Sequence, residues 1–226
     1  MLIAFEGIDG AGKRTQMLLL KERAENEGFS VGTVSFPRYG KTLLSGVIAD
    51  YLNGKFGDVA DIPAQFPALL YAMDRFESRD LLSELRRNND LVVADRYVAS
   101  NLAYQACKLP IQERAAFIDW LSEVEYGVFG LPQADITLYL DVPVSVSFKL
   151  VAKKGRRSYT ESDRDLHERN RELLTACRAV YQSLCTSWRD SRWLQIDCVT
   201  ASGQLGSRQA VGTAVWDALQ GHLPPK

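Results

Sequence analysis

The chain has 226 residues, of which 46% are hydrophobic and 24% are charged, a composition that is ordinary for a globular domain with its own core. Its formal net charge of -1 excludes the broad basic surface that general nucleic-acid binding requires. We therefore expect no nucleic-acid partner, and we expect any anion site to be a local cluster. No apolar run reaches the roughly 18 residues that a membrane-spanning helix needs, so we expect no membrane partner either.

Five short apolar runs predict the buried strands of a parallel sheet. They are Leu2–Phe5, Val31–Phe36, Leu91–Ala94, Ile136–Leu140 and Trp193–Ile196. Runs that are apolar throughout are typical of strands covered by helices on both faces. The segments between them predict helices at Gly12–Glu27, Ala64–Arg87, Tyr97–Cys107, 111–125, 143–152, 165–188 and 205–220. This alternation predicts one three-layer α/β/α domain over residues 1–226, with a five-stranded parallel sheet.

The longest predicted helix, Ala64–Arg87, has an amphipathic pattern. We expect its apolar side to face the core. That side carries Leu69, Leu70, Met73, Phe76, Leu81 and Leu85. The predicted loops are 54–63, 127–135 and 198–204, which contain glycine, proline or short polar residues.

A glycine-rich turn follows the first predicted strand and opens the first predicted helix, which is the context of a phosphate-binding loop. Its expected ATP ligands are Gly7, Gly10, Ala11, Gly12, Lys13, Arg14 and Thr15. Backbone N–H groups and the helix N-terminus can bind phosphate oxygens, and Lys13 can bridge the β- and γ-phosphates. The alternative is a glycine-rich turn without a ligand.

Arg14 stands where such loops usually carry a serine or threonine that holds Mg²⁺, and Thr15 comes one position later. We therefore expect Mg²⁺ to be held by phosphates, water and a carboxylate. The candidate carboxylates are Asp9, in the turn, and Asp95, at the end of the third strand.

Two arginines follow predicted strands at the sheet edge where ligands bind in such folds. Arg96 follows the third strand and can reach both a donor and an acceptor phosphate. Arg38 follows the second strand, between Phe36 and Tyr39, and can hold an acceptor phosphate. The alternative for Asp95 and Arg96 is a simple salt bridge at the strand end.

Paired polar residues on two predicted helices suggest a pocket for a base. Tyr71 and Arg75 lie four residues apart and share a face, so the ring can stack on a pyrimidine while the guanidinium reaches its carbonyl. The alternative is a surface cation–π pair. On the next helix, two further pairs share faces, Ser100 with Tyr104 and Asn101 with Gln105. For these the alternative is a solvated helix face.

A basic, glycine-containing stretch predicts a mobile lid at about 153–168. Its first part contains five cations, which are Lys153, Lys154, Arg156, Arg157 and Arg164. Such a lid can neutralise a phosphoryl group in transfer. We expect Arg157 to act on that group and Arg156 to bind ATP, although the sequence leaves the choice between the arginines open. The alternative is a solvated basic loop.

Together these segments resemble the thymidylate kinase family. The matching pieces are Phe5–Lys13, Phe36–Arg38, Asp74-Arg75 and Asp95-Arg96-Tyr97, with Ser100, Ala103, Tyr104 and Gln105. The run Gly-Lys-Arg-Thr is similar to that of the mycobacterial-type branch. The resemblance implies a P-loop kinase fold, a homodimer, and transfer of the γ-phosphoryl group of ATP to dTMP with Mg²⁺ as cofactor.

The resemblance also implies roles for individual positions. Asp9 would hold the sugar 3′-hydroxyl, Tyr71 would stack on thymine, Arg75 would bond O4, and Tyr104 would crowd the sugar 2′ position. Asn101, with Ser100 near it, would face the base edge.

The resemblance further implies which residues surround the acceptor phosphate. They would be Phe36, Arg38, Tyr39 and Arg96. The acids Asp165 and Glu168 would contact the acceptor, and His167 falls where relatives carry tyrosine. The catalytic set would be Lys13, Arg96, Asp9 and Arg157.

The predicted chemistry needs no general base, because a phosphate monoester is already largely ionised at neutral pH. Two alternatives remain at this stage. One is another nucleoside monophosphate or deoxynucleoside kinase, and the other is a non-catalytic ATP-binding switch, which Arg14 alone supports. The cysteines show no metal-binding spacing and predict free thiols in a cytoplasmic protein; they are Cys107, Cys177, Cys185 and Cys198.

Overall fold

A computed structural model describes residues 1–59, 61–154, 161–188, 191–200 and 203–225, with side chains omitted at 149, 151–154 and 161–169. Its sheet has five parallel strands in the order β2-β3-β1-β4-β5. They are β1 Leu2–Glu6, β2 Val31–Ser35, β3 Leu91–Asp95, β4 Ile136–Asp141 and β5 Arg192–Asp197. Each predicted strand is confirmed to within one residue at either end.

Helices connect these strands, as the alternating pattern predicts. They are α1 Lys13–Asn26, α2 Leu43–Leu52, α3 Gln65–Glu77, α4 Arg79–Asn88, α5 Val98–Ala106, α6 Ile111–Ser122, α7 Val144–Lys154, α8 Glu161–Ser187 and α9 Arg208–Leu219. A π-helical turn, Glu123–Val128, extends α6, and a 3₁₀ turn, Gln220–His222, extends α9. Within the described ranges, no helix is long and apolar enough to cross a membrane.

The alternation of side chains along β1 shows that the sheet is covered on both faces. Leu2 and Ala4 belong to a cluster that includes residues of α5 and α8. Ile3 and Phe5 belong to the opposite cluster, which includes residues of α1 and α9. Because successive strand residues point to opposite faces, the two clusters lie on either side of the sheet. The predicted three-layer α/β/α architecture is therefore confirmed.

The predicted helix Ala64–Arg87 is wrong in one respect, because it breaks at Ser78 into α3 and α4. The Ser78 hydroxyl donates to the Asp74 carbonyl at 2.9 Å and accepts from Arg38 Nη1 at 3.3 Å. A serine that bonds back to the carbonyl four residues earlier bends a helix. The predicted apolar side divides as a result: Leu81 and Leu85 contact the core, whereas Leu69, Met73 and Phe76 face solvent.

Two elements were not predicted from the sequence. The first is α2, whose N-terminus is capped by Thr42, since its hydroxyl accepts from the Ser45 N–H at 3.2 Å. The second is the π-helical turn, which extends the predicted helix 111–125 and occupies the start of the predicted loop 127–135. Both elements contribute to the walls or supports of the cavity described below.

Candidate active site

The glycine turn between β1 and α1 has a conformation that suits an anion. Gly7, Gly10 and Gly12 all have positive φ. A Cβ at Gly7 would lie 2.7 Å from the Leu140 carbonyl oxygen, so a side chain does not fit there. The first turn of α1 has no side-chain cap and no acidic residue, which leaves its N–H groups available for phosphate oxygens.

Lys13 is buried at the start of α1. Its Nζ donates to the carbonyl oxygens of Gly7 and Ile8, each at 2.9 Å. Burial and the positive charge of Arg96 lower the pKa of Lys13 to about 8, while the carboxylates of Asp9 and Asp95 oppose that change. The lysine is therefore a desolvated cation beside the turn, which favours interaction with an anion.

Arg96 is held in place by three side chains at the carboxyl end of β3. Its guanidinium pairs with the Asp9 carboxylate, donates to Ser100 Oγ at 3.0 Å and lies over the Tyr104 ring. Arg96 itself has φ 69, a left-handed conformation that costs free energy in a non-glycine residue. Such strain is typical of functional sites.

Asp9 connects this arginine to the glycine turn. Its backbone N–H donates to the Tyr104 hydroxyl at 2.9 Å, and its carbonyl accepts from Ser147 of α7. Burial alone would raise the pKa of the Asp9 carboxyl, but the charges of Arg96 and Lys13 outweigh it and lower that pKa. Asp9 is thus an ionised carboxylate at the junction of the turn, α5 and α7.

Glu6 caps α5 from the end of β1 and was not predicted as a site residue. Its carboxylate accepts from the backbone N–H groups of Tyr97 and Ser100 at 2.8 and 3.1 Å, and from the Tyr181 hydroxyl at 2.9 Å. Burial raises the pKa of Glu6, whereas the Ser100 hydrogen bond and the charge of Arg96 oppose that rise. The sequence signal was an acid ending an apolar strand.

A cavity of about 530 Å³ opens beside the glycine turn, within the usual size range of small-molecule sites. Nine of the predicted site residues line it. They are Asp9, Phe36, Tyr39, Tyr71, Arg75, Arg96, Ser100, Asn101 and Tyr104. The wall is completed by Pro37, Tyr51, Leu52, Val59, Tyr97, Gln105, Lys108 and Leu173. Sequence positions that are far apart are therefore brought to one site.

One end of this cavity is built around a buried carboxylate, Glu125, which the sequence analysis also missed. Arg75 Nε donates to it at 2.8 Å, and Asn101 Nδ2 donates to it at 2.8 Å. Arg75 is only 2% exposed, so the alternative of a surface cation–π pair with Tyr71 is excluded. Asn101 Oδ1 is buried and has no hydrogen-bond partner in the part of the chain that the structure describes. It is therefore an unpaired buried acceptor on a residue that lines the cavity.

Some predicted site residues lie elsewhere or are not described. Arg38 does not line the cavity. Its backbone N–H donates to Asp74 Oδ2 at 3.1 Å. Arg156 and Arg157 fall outside the described residues. The predicted lid, 153–168, is described only at its two ends, which are 153–154 in α7 and 161–168 in α8. The backbone of Asp165, His167 and Glu168 lies in α8, but their side chains are outside the description.

The residue types at the glycine turn limit how a metal can bind. Among the described residues, no group of three or more histidine, cysteine, aspartate or glutamate side chains could hold an ion. Arg14 is exposed and Thr15 follows it, so no hydroxyl directly follows Lys13. Asp9 and Asp95 both act on the pKa of Lys13 and remain the candidate carboxylates. A magnesium ion here would take most of its ligands from phosphates and water.

Comparison with known proteins identifies the family of this chain. A family model described as "Thymidylate kinase" matches residues 5–201. A "Thymidylate kinase" of Mycobacterium tuberculosis (strain ATCC 25618 / H37Rv) is 35% identical over 210 residues, covering 93% of this chain and 97% of that protein. A "Probable thymidylate kinase" of Thermococcus kodakarensis is 35% identical over 178 residues, 76% of this chain and 81% of that protein. Since the family model spans most of the sequence, the chain belongs to the thymidylate kinase family.

Proposed function

We propose that this chain transfers the γ-phosphoryl group of ATP to dTMP and supplies dTDP for dTTP synthesis. The observation that carries this proposal is the 530 Å³ cavity, whose wall contains both the polar side chains of Arg75 and Asn101 and the ion pair of Arg96 and Asp9 beside the glycine turn. The names of the relatives support the same acceptor. We propose that residues 1–226 act as one kinase domain with a lid at about 153–168.

The donor phosphates would bind at the glycine turn. Positive φ at Gly7, Gly10 and Gly12 shapes the turn, and phosphate oxygens would accept from its backbone N–H groups and from those of Arg14 and Thr15. The Ala11 N–H, which donates to the Ile8 carbonyl at 3.2 Å, would exchange that partner for a phosphate oxygen. Lys13 would exchange its two carbonyl partners for phosphate oxygens, and Arg156 would reach the same phosphates from the lid. Mg²⁺, held mainly by phosphates and water with Asp9 or Asp95 nearby, would supply charge neutralisation.

The base would be read by Asn101 and Arg75. The Asn101 amide is oriented, because its Nδ2 donates to the Ala68 carbonyl at 2.9 Å and to Glu125 at 2.8 Å. Its free Oδ1 must therefore accept, and thymine offers N3–H to it. Arg75 uses Nε and Nη2 on Glu125, which leaves Nη1 for the thymine O4. Tyr71 would stack on the ring.

The rest of the nucleotide would lie between the base end and the glycine turn. Tyr104, which packs against Arg96, would crowd a ribose 2′-hydroxyl, and Asp9 would hold the 3′-hydroxyl. Arg96 would bind the acceptor phosphate and orient it toward the donor. Further contacts to the acceptor would come from Phe36, Arg38, Tyr39, Ser100, Asp165 and Glu168.

The transfer step follows from these positions. An ionised oxygen of the dTMP phosphate attacks the γ-phosphorus, the bond from that phosphorus to the β,γ-bridging oxygen breaks, and ADP leaves. No proton has to be removed, because the attacking oxygen is already ionised. Lys13, Arg96 and Arg157 of the lid would neutralise the charge that spreads over the transferred group.

We also propose that the active form is a cytoplasmic homodimer. All four cysteines are free thiols, which suits a reducing compartment.

The support for a dimer is an exposed apolar face on α3. The side chains of Leu69, Met73 and Phe76 share this face, and the centroids of the Phe76 and Phe129 rings are 4.9 Å apart. An exposed apolar face of this kind is typical of an interface, and a second copy would cover it.

The decisive experiment is a substrate panel. Purified protein is incubated with MgATP and each of dTMP, dUMP, dCMP, dGMP and AMP, and ADP release is measured. We expect dTMP to give the highest kcat/KM, and we expect EDTA to abolish turnover. Turnover with dTMP that is no faster than with dCMP, dGMP or AMP would contradict the proposal, and an absence of ADP with every acceptor would favour an ATP-binding switch.

A further inference from the structure

Glu125 is a fully buried charge that the proposed transfer step does not use. Its carboxylate is 0% exposed and lies across from α3 and α5. Oε2 accepts from Arg75 Nε at 2.8 Å, while Oε1 accepts from Arg75 Nη2 and from Asn101 Nδ2. One carboxylate therefore fixes two side chains from two different helices, and both of those side chains line the cavity.

The π-helical turn explains how this carboxylate reaches the interior. In Glu123–Val128 the chain makes a wider turn than an α-helix, and such turns often occur at functional sites. Glu123 and Val128 are exposed, whereas Glu125 between them is buried. The Leu131 N–H donates to the Glu125 carbonyl at 3.1 Å, which ties the turn to the following chain.

The geometry gives the cavity a defined order of donor and acceptor. Because Nδ2 of Asn101 is committed to Glu125 and to a backbone carbonyl, its Oδ1 can only accept. Because Arg75 gives Nε and Nη2 to Glu125, its Nη1 hydrogens are left to donate. Thymine presents N3–H and O4, which match this order. Cytosine presents N3 as an acceptor and N4–H₂ as a donor, which reverses it.

We infer that Glu125 is the positioning residue that sets the choice of thymine over cytosine by orienting Arg75 and Asn101. This inference rests on the proposed function, since it assigns a selectivity to the same site. It differs from a purely structural reading, in which the buried ion pair of Glu125 and Arg75 only joins α3 to the turn. A structural role predicts lost stability alone, whereas a positioning role also predicts lost discrimination between the two bases.

The test is Glu125→Gln, measured as kcat/KM for dTMP and for dCMP. The amide keeps the size of the side chain but presents an NH₂ group to donors that need an acceptor, so Arg75 and Asn101 lose their common orientation. We expect the ratio of kcat/KM for dTMP to that for dCMP to fall at least about tenfold, mainly through KM for dTMP. KM for ATP should stay within about twofold, because Glu125 does not contact the glycine turn.

A matched control breaks a different ion pair, in which the carboxylate is buried and the arginine is partly exposed. Asp141 is 7% exposed and accepts from Arg178 Nε at 2.6 Å, and neither residue lines the cavity. Asp141→Asn should lower the melting temperature without changing the preference for dTMP over dCMP. If it reduces that preference as much as Glu125→Gln does, the role assigned to Glu125 is wrong.

A second variant keeps the charge in case Glu125→Gln does not fold. Glu125→Asp withdraws the carboxylate by one methylene, so it can no longer contact Arg75 and Asn101 together, and we expect an intermediate loss of discrimination. Selectivity that stays within twofold of the wild type in a folded Glu125→Asp or Glu125→Gln protein overturns the inference. A wild-type protein without preference for dTMP overturns the proposed function itself. The substrate panel is therefore measured on the wild-type protein before any variant is made.

Discussion

Lys13 keeps a positive charge in a place where burial disfavours it, and that conflict has a measurable consequence. Burial and the charge of Arg96 lower its pKa to about 8. A bound triphosphate would favour the charged lysine and raise that pKa again. In the ligand-free protein, the folded state holds this proton less tightly than the unfolded chain. The contribution of Lys13 to stability therefore increases as the pH rises from about 8 toward 10.5.

We predict that MgATP binding takes up more than half of a proton at pH 8.5 and much less at pH 7, because about half of the Lys13 side chains are neutral near pH 8. Isothermal titration calorimetry in buffers of different ionisation enthalpy measures this uptake. In Lys13→Met the uptake at pH 8.5 should disappear, together with most of the affinity. Binding heats that are the same in all buffers at pH 8.5 would contradict the prediction.

At the scale of elements, the N-terminus of α5 is stabilised by a side chain from β1. Glu6 accepts from two backbone N–H groups there, and Tyr97 at the N-cap position supplies no side-chain cap of its own. The charge also favours the positive end of the helix dipole. Because Arg96 directly precedes this helix end, the cap holds the strained arginine in position as well as stabilising α5.

Glu6→Ala should therefore lower the free energy of unfolding by about 2–4 kcal/mol, since it leaves two buried N–H groups and the Tyr181 hydroxyl without their acceptor. Urea unfolding followed by circular dichroism measures this change. The exposed Glu22 of α1 provides the control, and Glu22→Ala should stay within about 0.5 kcal/mol of the wild type. A loss below 1 kcal/mol for Glu6→Ala would rule out the capping role.

The same variant should also raise KM for dTMP. Glu6 accepts from the Ser100 hydroxyl, which in turn accepts from Arg96, so the arginine loses a support.

The sequence predicts elements best where the pattern depends on local burial alone. The strand Leu91–Ala94 is apolar because helices cover both of its faces, and its limits follow from that run. The break at Ser78 was missed because a serine fits inside an amphipathic helical pattern, and the pattern does not show that its hydroxyl bonds back to the Asp74 carbonyl. Glu125 was missed for a different reason: its partner Arg75 lies fifty residues away, and a single acid in a helical stretch carries no local signal.

The same contrast holds for the candidate site. Residues in short motifs, such as Asp9 and Arg96, were brought together as the parallel topology requires, because strand ends share one edge of the sheet. Arg38 lies beside that edge but turns its guanidinium to Ser78, a choice that the sequence does not encode locally. Hydrogen bonds from distant helices, such as that from the Ser147 hydroxyl to the Asp9 carbonyl, depend on how the helices pack on the sheet and have no local sequence signal.

At the scale of the whole molecule, α3 has two opposite roles. Its inner side holds Arg75 in the cavity, and its outer side exposes Leu69, Met73 and Phe76. Leaving apolar side chains of two successive helical turns in water is unfavourable, and a partner that covers them removes this cost. Association of two copies through α3 would therefore stabilise the helix that also carries the proposed base-reading residues.

We predict that Met73→Glu converts the proposed dimer to a monomer, because a second copy would have to bury the introduced charge. Light scattering coupled to size-exclusion chromatography measures the mass, and circular dichroism checks that the variant is folded. Leu18→Glu is the matched control, since Leu18 is similarly exposed but lies on α1, away from the face formed by Leu69, Met73 and Phe76. The Leu18→Glu protein should remain dimeric. A monomeric wild type, or a Met73→Glu protein of unchanged mass, would contradict the proposed interface. If association stabilises α3, the monomeric variant should also show a raised KM for dTMP and an unchanged KM for ATP.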